Sequence, residues 1–248
     1  MRRLLTYGLV AIFLIVAGVA VHDVFFADDD GGVAGMLFGS VASQHRDGLH
    51  YDGIDVSHHQ GHIDWNVVAT DTMLQFVYVK ATEGSTLVDS RYRANVRGAR
   101  RAGLMVGSYH FLTSRSLIVD QFLNFSEQVD MSEQELLPMV DVEWQGVSGW
   151  TAAQVQDSLA LFCWLVKDAF GADPVIYADA RFFRERLAPR FNDYPLFIAH
   201  YHRQQPVVRG AGRHVLWQRS EHGRIPGIEK DVDLDAFTAG CSIADILF

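Results

Sequence analysis

The chain has 248 residues, 49% hydrophobic and 12% aromatic, which excludes a disordered polypeptide. Such a length fits one domain of about 200 residues with an appendage. A formal net charge of -9 excludes an ordinary nucleic-acid binder, since the basic cluster Arg91, Arg93, Arg97, Arg100 and Arg101 has the spacing of one wet helix face.

Met1-Arg2-Arg3 precedes an uncharged apolar run from Leu4 to Val21, a basic region followed by a hydrophobic one. Residues 1–27 are therefore expected to be a signal peptide or a membrane anchor. Ala17-Gly18-Val19-Ala20 offers small residues for cleavage, and the run is also long enough to remain in a bilayer with Arg2 and Arg3 on the cytoplasmic side. Either outcome makes the protein exported, periplasmic or extracellular. Gly, Asp and Ser then replace apolar periodicity over 28–50, which reads as a linker, and the folded domain is expected over 51–248.

Short apolar strands are expected at Gly53–Val56, Phe76–Lys80, Leu104–Phe111, the segment Leu136–Glu143, Pro174–Ala178, Leu196–His200, Val215–Gln218 and Val232–Leu234. Helices are expected between the earlier ones. Asp89 or Ser90 caps Arg91–Ala102, which Gly103 stops; Leu117–Val129 follows; Thr151–Phe170 ends at Gly171 with Val155, Leu159, Phe162, Val166 and Ala169 as one apolar stripe. After Ala180–Leu187 the spacers look like loops. Strand-helix alternation argues for a parallel sheet covered by helices, and helices after only five of eight strands suggest an irregularly closed α/β barrel. In such barrels chemistry sits at the strand C-terminal ends, where Asp55, Lys80, His110, Asp141 and Glu143 all fall.

The segment Leu136-Leu137-Pro138-Met139-Val140-Asp141-Val142-Glu143 carries the strongest chemical signal. Side chains alternate along a strand, so Asp141 and Glu143 point one way while Val140 and Val142 pack behind them. Two desolvated, mutually repelling carboxyls push one pKa upward, and a general acid for use near neutral pH is made in that way.

Gly53-Ile54-Asp55-Val56-Ser57-His58-His59-Gln60-Gly61, Asp64-Trp65, Val79-Lys80-Ala81-Thr82-Glu83-Gly84, Gly107-Ser108-Tyr109-His110-Phe111, Asp141-Val142-Glu143, and Trp217-Gln218 through Asp233-Leu234 together resemble the glycoside hydrolase family 25 lysozymes, the Chalaropsis-type N-acetylmuramidases. The resemblance runs in order from about Tyr51 to Phe237. It implies a TIM-like (β/α)5(β)3 barrel that cleaves the β-1,4 bond between N-acetylmuramic acid and N-acetylglucosamine in peptidoglycan. It also implies Asp55, Asp141, Glu143 and Asp233 as the catalytic set. Glu143 matches the general acid, and Asp141 matches either a nucleophile or an orienter of the substrate's own N-acetyl group. Where the family's closing motif more often reads Asp-Leu-Asn, this chain has Asp233-Leu234-Asp235, with Asp231 just upstream.

The resemblance implies sugar contacts from Tyr109 and Tyr201, whose segments match the family's cleft-lining positions, and Lys80 and Trp217 are expected beside them, whereas Trp65 and Trp164 are expected in the core. Lys80 and Glu83 have the alternative of a plain surface ion pair. His58, His59 and His62 lack the further ligands of a closed metal site and read as polar loop or sugar contacts, and no cofactor is implied because two carboxylates and a water suffice for the hydrolysis. A disulfide between Cys163 and Cys241 is permitted in an exported chain, and a buried free thiol at Cys163 is the alternative. Two other functions fit the same pattern: a glycosidase acting on another N-acetylhexosamine polymer such as chitin, and a non-catalytic glycan-binding module.

Overall fold

The computed structural model describes residues 50–207 and 213–248. The expected signal or anchor, and all of the expected linker except His50, lie outside the described residues. Among the described residues no helix is long and apolar enough to cross a membrane.

The strands are β1 (Gly53–Val56), β2 (Phe76–Glu83), β3 (Leu87–Val88), β4 (Met105–Phe111), β5 (Met139–Asp141), β6 (Val175–Asp179), β7 (Pro195–Ala199), β8 (Arg213–Gly223) and β9 (Val232–Phe237). The helices are α1 (Trp65–Val68), α2 (Tyr92–Arg101), α3 (Ile118–Gln128), α4 (Ala152–Phe170) and α5 (Ala180–Phe182), the last continued by a π-helical turn at Phe183–Leu187. The sheet order is β1-β9-β8-β7-β6-β5-β4-β2-β3, and a β1–β2 pairing closes it into a barrel. The two-residue β3 only hairpins onto the end of β2.

The irregular α/β barrel expected from the sequence is the fold observed, with one departure. Neighbours from β1 through β2 and β4 to β8 are parallel, but β9 is antiparallel to both β8 and β1. The cause is the link between β8 and β9: without a crossover element, a short loop can only return the chain antiparallel. The reversal brings the start of β9 to the rim where the parallel strands end, and Asp233 pairs in register with Asp55.

Alternation sorts the core into two layers. Outward side chains such as Ile54, Val79, Val140 and Ile176 pack beneath helices that contribute Val96, Phe125 and Phe162. Inward ones, including Phe76, Tyr78, Val175, Phe197 and Leu216, fill the barrel floor. The floor has room for its rings because two inward positions lack a side chain. A Cβ on Gly53 would come within 2.3 Å of the Phe76 ring, and one on Gly107 within 2.4 Å of the Tyr78 ring.

Helix punctuation follows the sequence at α4. Thr151 caps α4 in a reciprocal arrangement with Gln154, and Gly171 ends it in the left-handed region at φ 88°. At α2 the expectation differs: the cap position is Arg91 and no side chain caps the helix, so neither Asp89 nor Ser90 does, and the Asp89 carboxylate instead accepts the Arg91 N–H at 2.9 Å. The basic cluster is exposed as expected. Two further details differ. The α4 stripe closes on Phe170 instead of the exposed Ala169, and Trp164 is 58% exposed, while Trp65 is buried against Gly98. Cys163 and Cys241 are both free, one in the helix-covered layer and the other against the barrel floor.

Candidate active site

A cleft of about 400 Å³ opens over the rim where β1, β2, β4, β5 and β6 end. Asp55, Asp141, Glu143, Asp233, Lys80, Tyr109 and Tyr201 line it. Trp217 does not: it is 4% exposed, its indole N–H donates to the His200 carbonyl at 2.7 Å, and the Arg219 guanidinium covers its ring. On β8 it is the next residue, Gln218, that reaches the cleft.

β5 is only three residues long, so Asp141 is its last residue and Glu143 stands just beyond, anchored by a turn in which the Glu143 carbonyl accepts the Gly146 and Val147 N–H groups. Asp141 is buried, and its Oδ1 has no protein donor. Burial first, and the Glu143 charge next, hold its carboxyl well above the ordinary range, with Lys80 pulling the other way. Glu143 is half-buried and accepts from the Gln145 amide at 2.6 Å. Burial raises its pKa as well, and Asp179 adds to the rise, while Gln145 and Lys80 moderate it. Lys80 donates to Glu83 at 2.9 Å, but the pair is largely buried in the cleft wall, not on an open surface.

Across the cleft, Asp55 and Asp233 face each other on β1 and β9. Burial, then the Asp233 charge, keep Asp55 well above its usual pKa, opposed by a Gln218 amide that donates to Asp55 Oδ2 at 2.7 Å. Asp233 is raised to about 6, by burial and then by Glu221 and Glu143. Asp231 lies outside this cleft lining, hydrogen-bonded to His222 and ion-paired to Arg224.

Gln218 is a cleft residue that the sequence does not single out, although it stands in the Trp217-Gln218 motif. Its Oε1 accepts both the Tyr177 hydroxyl at 2.8 Å and the Tyr201 hydroxyl at 2.7 Å, which turns its NH2 toward Asp55. Tyr177 reads in sequence as one more apolar strand residue, and only the convergence of strands reveals its partner. Gln218→Ala is expected to lower kcat/KM about tenfold by removing this charge-assisted bond. Because the bond favours ionised Asp55, its loss also moves the acid limb of the pH profile upward; an unchanged profile contradicts the role.

Asp235 is sealed beneath the cleft with neither carboxyl oxygen partnered. Burial, then Asp55 and Asp233, raise its pKa well above the ordinary range. An acid raised in this way leaves stability intact below the unfolded-state pKa, and stability falls as pH rises toward the native value. Asp235→Asn is therefore expected to stabilise the fold by roughly 1–3 kcal/mol at pH 7 and little at pH 4. Thermal melting at the two pH values checks this, and equal shifts contradict it.

His110 belongs to the other face of β4. Tyr109 and Phe111 line the cleft, so alternation turns His110 outward, where it stacks on Phe162 at 4.9 Å and bonds Thr82 and Gln121. Burial lowers its pKa to about 4, which keeps it neutral. His59 lines the cleft, His58 bonds Asp89, and His62 is exposed.

Known proteins are similar to this chain in sequence and in fold. An Escherichia coli K12 protein described as the uncharacterized protein YegX is 35% identical over 189 residues, covering 75% of this chain and 68% of its own. The autolytic lysozyme of Clostridium acetobutylicum is 31% identical over 189 residues, which cover 76% of this chain and 56% of that one. Among solved structures, a bacterial lysozyme from Streptomyces coelicolor is 30% identical with a TM-score of 0.70, covering 79% of this chain and 95% of that one. A family 25 glycosyl hydrolase from Bacillus anthracis also gives a TM-score of 0.70, at 25% identity, covering 79% and 93%. The model of the glycosyl hydrolases family 25 matches residues 54–228, and with most of the barrel inside that match the chain belongs to this family.

Proposed function

We infer that the chain is a lysozyme, a glycoside hydrolase that cleaves the β-1,4 bond between N-acetylmuramic acid and N-acetylglucosamine in peptidoglycan. The observation that carries this reading is the Asp141/Glu143 pair: both carboxyls are raised in pKa, and both face one open cleft. Glu143, the less buried of the two, gives its proton to the glycosidic oxygen as the C–O bond breaks. Asp141 accepts the N–H of the substrate's 2-acetamido group, the bond its unpartnered Oδ1 lacks in the protein. The acetamido carbonyl oxygen attacks C1, and an oxazolinium forms. Water opens that ring, Glu143 takes the proton back, and the configuration at C1 is retained. Asp55 and Asp233 hold the sugar and set the charge around the pair, with Tyr109, Tyr201 and Lys80 as further contacts.

Incubation of the protein with purified peptidoglycan and, separately, with chitin tests the substrate class. New reducing ends from peptidoglycan alone are expected; ends from chitin alone favour the broader hexosaminidase reading, and none from either favours a binding module. The buried acidic pair argues against the last, because a binding protein has no use for carboxyls that destabilise it. The apolar run Leu4–Val21 directs export and holds the barrel near the membrane if it stays uncleaved. Recovery of the full-length mass in membranes supports that placement, and a wholly soluble processed form opposes it.

A further inference from the structure

A second cavity of about 460 Å³ adjoins the cleft, sharing Glu143, Gln145, Tyr177 and Tyr201 with it. Its own lining adds Trp144, Asp179, Arg181 and His200, so that beside the carboxyls of Glu143 and Asp179 it presents a guanidinium. Trp144 is fixed there. Its ring meets Phe182 edge-on at 5.0 Å, and the Arg186 guanidinium sits 4.8 Å from its centroid while donating to the Trp150 carbonyl.

Arg181 reaches the cavity from the first turn of α5, whose cap Asp179 accepts the Arg181 and Phe182 N–H groups. Its Nε donates to Glu185 at 2.9 Å, and among the described residues neither Nη group has a hydrogen-bond partner. A guanidinium tethered by Nε leaves a planar fork of donors, the geometry that grips a carboxylate. A neutral glycan offers hydroxyl and acetamido oxygens to such a fork, but only a carboxylate adds opposite charge to bidentate geometry. In the substrate assigned above, which this step presupposes, the anions are carboxylates on the 3-O-lactyl arm of a muramoyl residue or on the peptide attached to that arm.

We propose that this second cavity is a subsite for a carboxylate carried on the lactyl arm of a muramoyl residue beside the cleaved bond, gripped by the Nη groups of Arg181. The cavity is large enough for one sugar and the base of its substituent.

Three glycan preparations test the assignment: peptide-bearing strands, amidase-stripped strands with a free lactyl carboxylate, and stripped strands whose carboxylate is converted to a methyl amide. Arg181→Ala is expected to raise KM about tenfold on carboxylate-bearing strands, with kcat little changed, and to leave the neutral amide strands unaffected. Arg181→Lys should recover part of the loss. An effect on stripped strands identifies the lactyl carboxylate, and an effect confined to peptide-bearing strands identifies one on the peptide. Equal losses on all three preparations, or no loss on any, overturn the subsite. Arg181 is 71% exposed, so the variant should fold, and an unchanged melting temperature checks it. If the unaltered protein cleaves none of the three, the muramidase reading itself fails, an outcome visible without the variant.

Discussion

Glu143→Gln is expected to fold with at least the stability of the unaltered protein at pH 7, to keep its affinity for glycan, and to lose about 1,000-fold in kcat, the scale of a missing general acid. The amide preserves the shape of the side chain and still meets Gln145 after a flip, but it has no proton to give to the leaving oxygen. The pH profile supplies an independent check. Glu143 must be protonated at the start of the reaction, so activity in the unaltered protein falls as pH rises through its elevated pKa. That alkaline limb should vanish from the residual activity of the variant. A variant with near-normal kcat, or one that keeps the limb, assigns the acid to another residue.

Asp141→Asn should cost at least about 100-fold in kcat, the scale of a misplaced reacting group. Its Oδ1 is buried without a donor, and an amide there presents either a second acceptor of lower charge or an N–H2 turned against the substrate's own N–H. The substitution also removes a buried carboxyl that desolvation and the Glu143 charge hold well above the ordinary range. The variant should therefore be at least as stable as the unaltered protein at pH 7 while being far less active. Loss of stability in parallel with activity would recast Asp141 as a structural group.

Much of this site was legible because strand alternation is a strict rule. Asp141 and Glu143 share a face, and Asp55 lies at the end of β1, so their meeting followed from periodicity and barrel closure. The same rule, applied one residue off, explains the misses. His110 and Trp217 sit beside cleft residues and so point away from the cleft, and β8 carries register shifts on both of its edges that local sequence does not announce. The antiparallel return of β9 depends on what a loop fails to provide, and it is this return that puts Asp233 opposite Asp55 while leaving Asp231 in a surface ion pair with Arg224. Gln218 joins Asp55, Tyr177 and Tyr201, residues far apart in the chain, so its role is a property of convergence and of no local pattern. Trp164 shows the limit of composition: a large aromatic in an apolar helix is expected in the core, yet the buried stripe passes beside it.

The most direct test of the account is the identity of the ends it creates. A soluble domain beginning near Gly48 and its Glu143→Gln variant are incubated with purified peptidoglycan, the products are reduced with borohydride, and the new ends are read by mass spectrometry. Reduced muramic acid ends made by the unaltered domain and not by the variant are the predicted result. Reduced glucosamine ends, or muramic acid ends made equally by both, would contradict it.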